Sequence, residues 1–166
     1  KPMVLSTQYS LVMAQKCTPK DAQYSGEPLD FHLVSLGKRA EKEILALETM
    51  EEQMSILFGS QTPEEQLEDL LSLVMDSVSS EESTKKIIRN YLDGDLDAMY
   101  EVAMEFEESM GDMDALLKDR NVKWIPQLEE QMTQGGLFVA VGALHLPGEY
   151  GVINLLKEKG YTFKAL

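Results

Sequence analysis

From Gly135 to Tyr161 the chain reads GGLFVAVGALHLPGEYGVINLLKEKGY. The apolar run over Leu137 to Val141 predicts a strand, and it leads into a Gly-x-x-His unit, Gly142 to His145. Pro147-Gly148 supplies a turn, a helix is expected from about Tyr150 to Lys159, and Gly160 stops it before a last strand, Tyr161 to Ala165. This is a β-turn-α-β plan with one imidazole at the tip of the first strand. In open α/β sheets chemistry sits outside the carboxyl ends of strands, which makes His145 a candidate site residue. Gly142 has no Cβ, so the backbone there admits a close approach by a ligand or another chain.

Working outward, Glu43 to Leu47 reads as a second short buried strand with Glu48 at its carboxyl end, a placement parallel to that of His145. A helical block follows from Met50 to Met132. Thr62-Pro63-Glu64-Glu65 has the pattern of a capped helix start, with Thr as cap, Pro in the first helical position and Glu three residues after the cap. Leu67, Leu70, Leu71, Val74 and Val78 then recur at helical spacing. Ser80 is expected to cap the next helix and Gly94 to end it. Asp95 starts another, with Met99, Val102, Ala103 and Phe106 as its stripe. Leu116, Leu117, Arg120, Trp124, Leu128 and Met132 share a further face, with a kink expected at Pro126. Before the block, helices are expected over Met3 to Lys16 and Asp30 to about Lys42, with a polar loop, Gln23 to Pro28, between them. The expected fold class is α/β (α+β in content), with sheet strands at both ends of the chain flanking a multi-helix insertion over 50–132. Residues 1–166 are expected to form a single domain.

Composition narrows the function classes. The 166 residues carry 29 acids against 15 bases, a net charge of −14 that repels phosphate backbones and argues against nucleic-acid binding. No run approaches the roughly 20 apolar residues of a membrane span. One cysteine, Cys17, permits no intramolecular disulfide. The ten methionines fall at helical spacings and read as core filler. No phosphate loop, Cys-x-x-Cys pair or nucleophile elbow is present.

The residues that remain are few. If the strands before Glu48 and His145 are neighbours and parallel, a carboxylate and an imidazole share one rim, where they bind a divalent cation or divide acid/base work. Plainer roles exist for each. Glu48 caps the helix beginning near Thr49, Glu51 and Glu52 are first-turn acids, and Arg120 pairs with any of many carboxylates. In a site, Arg120 clamps a substrate carboxylate or holds Glu48 in place, and Asn121 orients either. His32 reads as non-catalytic and Cys17 as an inert or surface thiol.

Three stretches together resemble the TraB/GumN-like proteins, the group that includes the Tiki metalloproteases. They are Gly135 to Tyr161, the Leu-Glu-Thr-Met-Glu-Glu-Gln run from Leu47 to Gln53, and the Arg120-Asn121 pair with Trp124. The resemblance implies a metal-dependent, peptidase-like hydrolase that uses manganese, cobalt or zinc and acts on a peptide or protein substrate. It implies His145 and Glu48 as metal ligands, Glu48 and Glu52 as catalytic acids or bases, and Arg120, Asn121 and Gly142 as substrate or supporting residues. Members of the group usually carry an earlier Gly-x-x-His, which has no counterpart here, since His32 lacks the right preceding glycine. The chain is therefore expected to be the C-terminal part of a longer domain, inactive alone, from a parent of the bacterial cell envelope or secreted. Loss of the first strands would leave an exposed sheet edge and invite a homodimer through it. The alternative function is a non-catalytic regulatory module that binds a peptide or protein.

Overall fold

The computed structural model describes residues 2–23, 26–59, 61–105 and 113–165, without the side chain of Phe58. The described elements are helical: α1 (Pro2–Cys17), α2 (Leu29–Arg39), α3 (Met50–Phe58), α4 (Pro63–Met75), α5 (Ser77–Asp93), α6 (Leu96–Met104), a π-helical turn (Asp114–Lys118) that runs into α7 (Asp119–Thr133), a 3-10 turn (Ala143–His145) and α8 (Val152–Glu158). Phe106 of the expected α6 stripe, and residues 24 and 25 of the expected polar loop, lie outside the described residues.

Local chemistry sets most helix ends. Thr49 and Thr62 each close a capping box, with Glu52 and Glu65 returning a carboxylate to the cap backbone. Pro63 occupies the first turn of α4, as its sequence predicts. Gly94 ends α5 in the left-handed conformation, φ 74°, and Asp95 accepts from the Ala98 amide to start α6. Ser80 is not a cap, since α5 already begins at Ser77 and the Ser80 amide donates to the Asp76 carbonyl at 3.0 Å. Pro126 lies within α7 and removes a backbone donor without ending the helix.

The α/β expectation is overturned. No residue among those described forms a strand, so the sheet at the two ends of the chain and the sheet edge proposed for a homodimer have no counterpart there. Residues 43–46, 137–141 and 161–165 are non-helical, as their composition predicts, but do not pair with one another. A strand needs a neighbour's backbone, and apolar alternation without one leaves only a lone segment. Much of this surface stays exposed, with Ile44 at 45%, Phe138 at 76% and Phe163 at 46% accessibility.

The core is helical instead. Asn121, Trp124, Ile125 and Leu128 recur at helical spacing along the buried face of α7. Trp124, Ile125 and Leu128 pack with Val152 and Leu156 of α8, and Leu47, Val141 and Tyr161 lie against that cluster. One end of each would-be strand is thus anchored on α7 and α8. This brings Glu48 and His145 to the same helix without a sheet. On the other side α1 packs on α4 and α5, and α5 on α6.

Candidate functional site

The site grows from one turn of α7. Arg120 extends its guanidinium to Glu48, with Nε donating to Oε2 at 3.0 Å and Nη2 to Oε1 at 2.5 Å. Its remaining arm, Nη1, donates to the Leu116 carbonyl in the π-helical turn at 3.0 Å. Such turns free backbone acceptors that a regular helix would consume. Gln53 Nε2 also donates to Glu48 Oε1, at 3.3 Å. The pair is only 14% and 12% exposed, for Arg120 and Glu48 respectively. A fork of two parallel bonds is the strong geometry for an arginine and a carboxylate.

Asn121, one residue on, is almost fully buried. Its Nδ2 donates to the His145 carbonyl at 3.1 Å and the Tyr150 carbonyl at 2.8 Å, and its Oδ1 lies 2.7 Å from His145 Nδ1. Trp124 stacks on the imidazole with ring centroids 4.6 Å apart, and the Arg120 guanidinium lies 5.1 Å from the indole centroid on its other contact. The indole Nε1–H is buried without a partner among the described residues.

His145 itself sits at the end of a tight loop. Its amide donates to the Gly142 carbonyl at 2.9 Å, and the Leu146 amide to the Ala143 carbonyl at 3.1 Å. Gly148 takes φ 84° with the Tyr100 ring 2.7 Å from where a Cβ would stand, so the loop is closed against α6. Gly142 has an ordinary φ, and a Cβ there would meet only the His145 ring, at 3.6 Å. Nothing in the described chain requires a glycine at that position. Burial holds the His145 pKa down to about 4, aided by the Arg120 charge and opposed by that of Glu48. The imidazole is therefore neutral at neutral pH.

The fold thus gathers Glu48, Arg120, Asn121 and His145 with Trp124, and Gly142 opens the histidine turn. Glu52 is committed elsewhere. Its carboxylate accepts from the Thr49 amide at 2.8 Å and hydroxyl at 3.0 Å and from Lys123 Nζ. The Lys123 bond, and after it those of Thr49, lower its pKa to about 2. The signal was present in the sequence, because Thr49-x-x-Glu52 is a capping box. Trp124, whose indole contacts both Arg120 and His145, shares with Arg120 the helix face that the sequence spacing predicts. His32 is half exposed beside Glu27, at 3.8 Å, and Cys17 is a buried thiol rather than a surface one.

The donors gathered here offer little to a divalent metal. Both Glu48 oxygens are held by Arg120, and the orphaned indole N–H calls for an acceptor rather than a cation. No group of three or more His, Cys, Asp or Glu suited to a metal occurs among the described residues. A catalytic zinc usually takes three protein ligands. The described residues alone do not fit such a centre. A cleft of about 750 Å³ is lined by Asp93, Asp95, Asp97, Glu149 and Lys157 among others, and by none of the four gathered residues. No described helix is long and apolar enough to cross a membrane.

Comparison with known proteins agrees with the motifs. The proteins named Uncharacterized protein YbaP from Escherichia coli (strain K12) and Shigella flexneri are each 27% identical over 163 residues, covering 94% of this chain and 59% of theirs. The chain therefore spans well under two thirds of the length of these curated relatives. No solved structure matches. The TraB/PrgY/gumN family profile matches residues 1–165, and the chain belongs to that family.

Proposed function

We propose that this chain contributes His145 to the site of a hydrolase of the peptide-bond class, with further catalytic groups supplied from outside the described residues. The observation that supports this reading is a neutral, buried imidazole held by Asn121 beside an arginine–carboxylate pair. A neutral imidazole acts as a base or as a metal ligand. Glu48, bonded by Arg120 through both oxygens, supports the wall of the site rather than removing a proton. A manganese, cobalt or zinc ion would need donors beyond those described. The test is peptide hydrolysis by a chain of the relatives' full length, with and without these metals. Activity that disappears in H145A at unchanged stability supports the reading, and activity unchanged in H145A refutes it.

A second reading, a non-catalytic module that binds a peptide or protein, is favoured by the commitment of Glu48 to Arg120. Under it the full-length protein binds peptides without cleaving them, with or without metal.

A further inference from the structure

We infer that Asn121 is a positioning residue that decides which nitrogen of His145 carries the proton. Both carbonyls beside Asn121, those of His145 and Tyr150, accept hydrogen bonds and cannot donate them. The end of the amide that faces them must therefore be Nδ2, which spends one hydrogen on each. This fixes Oδ1 on the opposite side, 2.7 Å from His145 Nδ1. An amide oxygen offers only lone pairs, so a contact of that length requires a proton on Nδ1.

A neutral imidazole has a single N–H. With that proton held on Nδ1, Nε2 keeps its lone pair, and no described residue donates to it. Trp124 packs on the ring and restricts its rotation. Asn121 therefore selects the tautomer and leaves Nε2 as the nitrogen with a free lone pair. Its two carbonyl bonds also tie both ends of the 145–150 loop to α7. Histidines that act as ligands or bases through one nitrogen are commonly fixed in this way through the other. The inference concerns His145 alone, and its readout does not depend on hydrolysis.

The test is long-range ¹H–¹⁵N NMR of the labelled chain at neutral pH, with H32Q to identify the second histidine. The expected pattern for His145 is a protonated-type Nδ1 and an unprotonated-type Nε2. N121L, which removes the acceptor, is expected to move the proton to Nε2. N121D, which keeps an acceptor, is expected to retain it on Nδ1. A wild-type His145 with the proton mainly on Nε2 overturns the inference, as does a folded N121L that keeps the wild-type pattern. Where N121L does not fold, the wild-type spectrum decides alone.

Discussion

Arg120 holds both oxygens of Glu48 across 72 positions of sequence, joining α7 to the segment that precedes α3. Removing one member leaves the other charge largely buried and unpaired, which typically costs about 3 kcal/mol or more. E48A and R120M are each expected to lose stability of that order in urea unfolding. The double variant is expected to lose less than the sum of the two, and strict additivity would contradict a coupled pair.

Acid sensitivity follows from His145. The unfolded chain takes up a proton near the ordinary pKa of 6.5, whereas the folded chain resists it down to about 4. The unfolded state thus binds more protons in that window, and stability falls as pH drops from about 6.5 towards 4 while staying level above it. The loss is on the order of 3 kcal/mol. H145Q is expected to lack this slope in urea midpoints measured from pH 7.5 to 4. Glu52 and Glu81, held down to about 2 by Lys123 and Thr49 and by Lys16 and Lys85, add their losses as pH falls from 4.5 towards 2.

The two loop glycines are expected to differ. An alanine at Gly148 meets both a positive φ and the Tyr100 ring, and costs about 1–3 kcal/mol. G142A fits without strain and is expected to change stability by less than about 0.5 kcal/mol. Equal thermal shifts for the two variants would contradict the loop geometry. A G142A protein of normal stability but lost hydrolysis would identify Gly142 as a point of close approach.

Glu52 is expected to matter for folding rather than chemistry. E52A removes one side of the capping box and the Lys123 partner, and is expected to lower the thermal unfolding midpoint slightly. The His145 NMR signals are expected to stay in place. A displaced His145 signal, or loss of hydrolysis at normal stability, would restore Glu52 to the site.

The helix ends and the histidine turn could be read from the sequence because they are local motifs. Thr62-Pro63-Glu64-Glu65, Gly94 and the Gly142–His145 turn each encode their own geometry within a few residues. The Arg120-Asn121 pair was recognised with its option of holding Glu48. The expected sheet is absent among the described residues because strand composition at 43–47, 137–141 and 161–165 specifies an extended backbone but not the neighbour it must bond. A carboxylate in a first helical turn has the same spelling whether it caps or catalyses, so the capping bonds of Glu52 are not distinguishable in the sequence from a role in the site. The Asn121–His145 contact spans 24 positions, and no local pattern announces which imidazole nitrogen it meets.

The most direct test of the central claim, that His145 is one donor of a site the described residues do not complete, is calorimetric titration with manganese, cobalt and zinc. It compares this chain with a chain of the relatives' full length, each with its H145A variant. One equivalent is expected to bind the longer chain and to be lost in its H145A variant, with no stoichiometric binding by the shorter one. Tight one-to-one binding by the shorter chain, or binding by the longer chain that survives H145A, would contradict the claim.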